Sequence, residues 1–329
     1  PPPASPWPRS RSWRGGRVGD GRQLALGHRG QHARAVGYGG VVEVVARVVD
    51  LRAFLAHAVE WASVRGTEHP SHEERLRSET WGRMGLNLTV LGAACAAIGV
   101  VCRGIAAHRL PWGNMYEFVT SALFFVVIAY LVLVAIHHVR WMGIAVTLLL
   151  AVGNGLAATV FYVAVAPLVP ALHSVWFVIH IVAACIAAAA LNVGAIASIM
   201  YLIATNAQAK AQRTGVPVKG LVAKLPPLES MDALAYRAHA IGFPIWTFTI
   251  AAGSVWADYA WGRFWGWDPK ETWSLVTWVV YAAYLHARST AGWRGRRAAL
   301  IAIVGAACFW FNFVGVNLIF NGLHSYAGI

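Results

Sequence analysis

From Gly85 to the C-terminus the chain is a succession of apolar runs, each about the 20 residues a helix needs to cross the hydrocarbon core of a bilayer. Seven lie near 84–102, 116–136, 141–163, 172–203, 239–257, 268–288 and 299–320. Lipid offers backbone N–H and C=O groups no partner, so each run must pair its own backbone as a helix. The pattern specifies an all-α, polytopic transmembrane helix bundle with seven clear spans. Only 12% of the residues are charged, about half the share in soluble domains.

The net charge of +13 would suit nucleic acid, but the Lys and Arg residues fall between the apolar runs, as cytoplasmic loops require. One set of loops, including Arg75, Arg77, Arg140, Lys210, Lys224 and Arg294, holds fourteen of them. The opposite set holds four: Arg103, Arg109, Arg263 and Lys270. The first set is expected in the cytoplasm, and nucleic acid is not an expected partner. Cys95, Cys102, Cys185 and Cys308 all lie inside apolar runs without C-x-x-C spacing, so no disulfide framework or thiol-redox centre is implied.

Residues 1–66 are a different region from the membrane domain at 84–329. The first 40, rich in Pro, Gly, Ser and Arg, read as disordered or as lying upstream of the true start. Val41–Gly66 has a helical period with Glu43, Arg47, Asp50 and His57 near one face. That pattern predicts an amphipathic interfacial helix at 41–66, with a packed eighth span as the alternative.

By this topology the stretch WGRFWGWDPKETWSLVTW, Trp261 to Trp278, opens on the outer surface. With Trp246 and Trp256 it brings seven of the sixteen tryptophans into 33 residues. Tryptophan favours membrane interfaces generally, which is the alternative to a ligand platform. A belt does not need the indoles in one glycine-containing loop at 256–273, closed by a built helix start. Asp268 is placed as N-cap, Pro269 at the first helical position and Glu271 at the third, a capping box.

Three of the thirteen histidines fall where depth makes them notable. His180, early in the fourth span, and His324, after the last, flank the tryptophan loop on one side. His286 lies 18 residues beyond Asp268, roughly 27 Å deeper at the helical rise, where an ionisable side chain is a functional hypothesis by default. His239 reads as a core residue. Two imidazoles across an aromatic platform suit a six-coordinate haem iron, and no cluster has tetrahedral zinc spacing. No acid–base dyad or nucleophile is found, so no catalytic side chain is assigned. A secondary transporter would call for inverted repeats or paired broken helices, and neither is seen.

The tryptophan stretch, continued as VVYAAYLHAR, resembles the WWD signature of the CcsA (ResC) family of System II cytochrome c biogenesis. PWGNMYEFVTS at 111–121, PALHSVWFVIHI at 170–181, MDALAYRAHAIGFPIWTFTIAAGSVWA at 231–257 and FVGVNLIFNGLHSYAG at 313–328 resemble other family segments, in family order. The resemblance implies a multi-pass protein of the cell (plasma) membrane that moves haem b outward and presents it for thioether attachment to an apocytochrome c CXXCH motif. The chain would then be a subunit of a cytochrome c haem lyase (synthetase). It further implies His180 and His324 as external haem-iron ligands, and Trp261, Trp265, Trp267 and Asp268 as the WWD platform. His286 would be half of a membrane haem site completed by a histidine of a ResB/Ccs1-type partner. A thiol-reducing thioredoxin-like protein and its membrane electron donor are implied as well. A haem exporter or chaperone of the CcmC kind, without a ligation role, shares the WWD loop and stands as the alternative. The chain departs from the family at its start: such proteins begin with a further span where this one has Val41–Gly66.

Overall fold

The computed structural model describes residues 21–63, 71–218 and 220–324, with side chains of 21–39 and 221 omitted. Long helices connected by short segments build the whole described chain. They are α1 (Gly21–Ala62), α2 (His72–Ala107), α3 (Met115–His137), α4 (Gly143–Thr159), α5 (Val175–Thr214), α6 (Leu228–Trp261), α7 (Pro269–Ser289) and α8 (Arg296–Trp310). A π-helical turn at Phe311–Gly315 leads from α8 into the short α9 (Val316–Ile319). Among the described residues, six helical stretches are long and apolar enough to cross a membrane by themselves. The predicted sixth span folds as α7, whose Trp, Thr, Ser and Tyr residues make it less apolar. It packs against α6 and α8, which supply the company its polar groups need.

Helix boundaries follow local chemistry. Ser71 and Glu74 form a capping box at α2, Asn114 Oδ1 accepts the Glu117 N–H at α3, and Ser174 caps α5. At α7, Asp268 and Glu271 form the anticipated capping box around Pro269.

The N-terminal region differs from the sequence-based expectation. Residues 1–20 and 64–66 lie outside the described residues, but helix already begins at Gly21, within the stretch expected to be disordered. Val41–Ala62 does not lie free along an interface. It packs lengthwise on α2 and against α4, with Asp50 4% and His57 0% exposed. Periodicity placed the polar residues on one face correctly. It could not reveal that α2 carries glycines opposite them, so that the polar face turns inward.

The bundle has two ends, each tied by its own polar contacts. At one, Arg288 pairs with Asp232 at 2.7 Å, and the Lys224 ammonium donates to the Glu60 carbonyl at 2.7 Å. At the other, segments 108–114, 160–174, 262–268 and 320–324 converge. There Arg109 donates to the Ala166 carbonyl at 3.1 Å and Trp256 Nε1 to the Ala171 carbonyl at 2.8 Å. His239, 0% exposed, packs in the core against Tyr281 and Tyr284.

Candidate functional site

The tryptophan loop is organised by one carboxylate. Glu271, in the first turn of α7 and 8% exposed, accepts N–H bonds from Gly266 at 2.8 Å and Asp268 at 3.1 Å. It also accepts from Arg263 at 3.0 Å. Charged acceptors make the stronger hydrogen bonds, so a loop that glycine would leave loose is pinned at three points.

Asp268 has a second task beyond capping. Its Oδ1 accepts the Lys270 N–H at 3.1 Å and lies 2.9 Å from His324 Nδ1. Its Oδ2 accepts the Leu323 N–H at 2.7 Å. One residue thus starts α7 and anchors the segment that carries His324. Asp268 precedes the helix at the bundle's mouth. Partial burial works to raise its pKa, but the bond and charge of His324, with the Leu323 and Lys270 N–H groups, outweigh it and hold the carboxyl at about 2. The carboxylate is therefore ionised at neutral pH.

His180 is oriented by a different acceptor. Its Nδ1 lies 2.9 Å from the Thr249 carbonyl, and its ring enters α6 where Gly253 has no side chain. A Cβ there would stand 2.8 Å from both His180 Cε1 and Nδ1. Trp256, 3% exposed, touches both histidines. It stacks on His180 with centroids 5.8 Å apart and planes at 18°, and meets His324 edge-on at 5.5 Å. Trp261 touches both His324, at 4.8 Å, and Trp256, at 5.0 Å, so the three rings form one cluster.

Both imidazoles therefore give their Nδ1 hydrogen to a fixed protein acceptor, one a carbonyl and one a carboxylate. That bond fixes the tautomer and leaves Nε2 with its lone pair, the arrangement found in metal-ligating histidines. Both rings line a cavity of about 210 Å³ between α3, α5, α6, α7 and α8, with Trp256, Trp265, Met115 and Lys270 also on its wall. The donor set and aromatic lining fit a flat apolar ligand that carries a metal.

Of the residues singled out in the sequence, the fold brings together His180, His324, Trp261, Trp265 and Asp268. Trp267 stands apart from the cavity wall. It has a φ of 59°, is 69% exposed and touches Trp265 edge-on at 5.8 Å. His286 lies at the opposite end of α7, exposed on the helix surface, with Nδ1 3.4 Å from Thr290 Oγ1. The sequence reading missed the central place of Trp256, although it counted that indole among the cluster. It also missed Lys270, whose ammonium donates to the Asn312 and Phe313 carbonyls at 2.8 and 3.1 Å. Those carbonyls lie in the π-turn, where normal helical pairing is interrupted, so Lys270 ties α7 to the segment leading to His324.

The fold and this cavity define a multi-pass membrane protein with an imidazole-bearing aromatic chamber at one end. The chain matches the family described as Cytochrome C assembly protein over residues 94–324. It is 38% identical over 299 residues to the cytochrome c biogenesis protein CcsA of Synechococcus sp. (strain JA-3-3Ab), covering 74% of this chain and 84% of that protein. To CcsA of Guillardia theta it is 35% identical over 256 residues, covering 74% and 85%. A CcsA from Chlamydomonas reinhardtii is 47% identical over 160 residues, covering 49% and 43%. The chain belongs to the CcsA family of cytochrome c assembly proteins and acts in cytochrome c biogenesis.

Proposed function

We propose that this protein presents haem b at the tryptophan-loop end of the bundle, with His180 and His324 as the two axial ligands of the iron. The single observation that carries this reading is the pair of imidazoles sharing Trp256, each with Nδ1 engaged and Nε2 left for a metal. Trp256, Trp261 and Trp265 offer rings to the porphyrin, and Asp268 orients His324. Imidazole ligation sets the iron's potential.

The chemistry to be done is addition of a cysteine thiol across a vinyl group. Sulfur bonds one vinyl carbon and the hydrogen ends on the other, so no electrons are gained or lost and no protein acid–base pair is needed. The protein's contribution is placement, which turns an encounter into an effectively intramolecular step. The apocytochrome must arrive with its CXXCH thiols reduced, hence the proposed thioredoxin-like supplier and its membrane electron donor.

The proposed location is the plasma membrane, and the distribution of Lys and Arg supports the tryptophan loop and C-terminus on the extracytoplasmic side. His286, exposed near the other end of α7, suits an earlier haem site in the membrane completed by a histidine of a ResB/Ccs1-type partner. Absorption spectra of the detergent-purified protein, co-expressed with that partner, test the reading with and without dithionite. Sharp reduced bands of bis-histidine haem, lost on changing His180 and His324 to Ala, are expected. A colourless, correctly folded protein would overturn it.

A further inference from the structure

A second chamber lies on the far side of α3 from the aromatic cavity, with ionisable side chains set among largely apolar walls. The α1 and α2 helices run antiparallel in a fixed register. Glycines of α2 face ionisable residues of α1 along it: Gly99 opposite Glu43, Gly92 opposite Asp50, Gly85 opposite His57 and Gly82 opposite Glu60. Steps of seven, seven and three residues keep these groups on one face of each helix. At Gly92 an added Cβ would stand 2.6 Å from Asp50 Oδ1, so the glycine makes the room the carboxyl occupies.

Gly92 is at the middle of span α2, which places Asp50 at mid-membrane depth. There the carboxyl is 4% exposed and has a neutral partner, Asn154 Nδ2 of α4, donating to Oδ2 at 2.9 Å. The nearby cations are engaged elsewhere: Arg47 with Glu43 at 3.8 Å, and Arg103 with Glu117 at 2.9 Å. An ionised carboxyl without a counter-charge is very costly in such a setting.

The chamber reaches from Arg103 and Pro111, at the tryptophan-loop end, down to Asp50 and Asn154, and encloses about 40 Å³. That is room for about two or three waters at the volume one requires. Tyr116, 1% exposed, lines it, and its hydroxyl has no partner in hydrogen-bonding geometry although Glu43 lies beside it. Buried polar atoms without protein partners are commonly satisfied by water. The titratable groups facing Asp50 are Glu43 and Arg47 on its own helix, Cys95 and Arg103 on α2, and Tyr116 on α3. From α4 the chamber is lined by Leu150 and Asn154, neither of them titratable.

We propose that this chamber is a membrane-embedded protonation site in which Asp50 exchanges a proton with water entering from the tryptophan-loop end. The proton leaves Asp50 to water as hydronium and returns the same way, and the Asn154 N–H bond persists in both forms. The neighbouring haem chamber shares α3 as a wall. Met115 faces one chamber and Tyr116 the other, so the helix that feels this proton also lines the aromatic cavity.

The test uses the full chain in liposomes treated with dicyclohexylcarbodiimide, an apolar reagent that converts protonated carboxyls in apolar surroundings to stable N-acylureas. Peptide mass mapping across a pH series is expected to find the adduct on Asp50, forming more slowly as pH rises. The adduct is expected to be lost at position 50 in Asp50→Asn, with labelling elsewhere unchanged. The wild-type map locates the adduct even if that variant folds poorly. No adduct on Asp50, or one whose rate is flat with pH, overturns the proposal. Either result would leave the Asp50–Asn154 bond as a purely structural link between α1 and α4.

Discussion

The carboxylate of Asp268 caps α7 and, 2.9 Å away, takes the Nδ1 hydrogen of His324. A helix start and the orientation of a proposed iron ligand therefore depend on one side chain, and substitutions there separate the two tasks. Asparagine is also a good N-cap, so Asp268→Asn is expected to keep the start of α7. Its amide NH2 cannot accept, and losing the bond from Leu323 N–H or His324 should cost about 1 kcal/mol. The substitution also removes the charge behind His324 and should weaken haem retention by about 10–100-fold, the usual cost of losing a metal ligand's outer partner. Asp268→Ala should add about 1 kcal/mol of destabilisation from the lost cap. Haem titration and a melting curve on each variant check both effects.

Gly253→Ala tests how tightly His180 is seated. The new methyl would stand 2.8 Å from the imidazole, so the ring must tilt or α5 must move from α6. Overpacking of this kind costs about 1–3 kcal/mol. The expected signature is an altered haem spectrum on a protein that still folds; an unchanged spectrum would show that His180 has slack.

Trp256 supports both histidines, and the size of the replacement should matter. Trp256→Ala removes a buried indole and is expected to cost about 3–5 kcal/mol, with both imidazoles losing their common neighbour. Trp256→Phe keeps a ring and forfeits the bond to the Ala171 carbonyl, a loss of about 1 kcal/mol. Denaturation midpoints and haem content should both rank wild type, Phe, Ala.

Glu117 concerns stability rather than ligand chemistry. Its carboxylate, with a side chain 0% exposed, receives Arg103, Arg109 and the Gly113 N–H at 2.9, 2.7 and 2.7 Å. Glu117→Gln leaves two guanidinium groups facing a neutral amide. Breaking such a pair from one side costs about 3–5 kcal/mol, visible as a lower melting temperature by circular dichroism.

His286→Ala is expected to leave the spectrum of the His180/His324 haem unchanged in protein already loaded, because roughly 27 Å of helix separates it from Asp268 and distant sites act additively. Loss of that spectrum from preloaded protein would show that the two ends of α7 are coupled.

The linear sequence determined a good deal by itself. Length and hydrophobicity of the runs dictated helices, since a segment in lipid must pair its own backbone. Asp268-Pro269-Lys270-Glu271 specified a helix start because capping is local, acting within one turn. The spacing from Asp268 to His286 set their separation along α7. Tertiary structure decided what depends on contacts between distant residues. That the polar face of α1 turns inward follows from glycines on α2, and hydrophobic periodicity in one helix carries no information about its neighbour. The partners of the two histidines, a Thr249 carbonyl and the carboxylate of Asp268, come from 69 and 56 residues away. A carbonyl leaves no trace in side-chain identity. Trp256, on α6, became the centre of the site only when α5 and the segment carrying His324 packed against it, and Trp267 became an exposed ring only through the turn at Gly262 to Asp268.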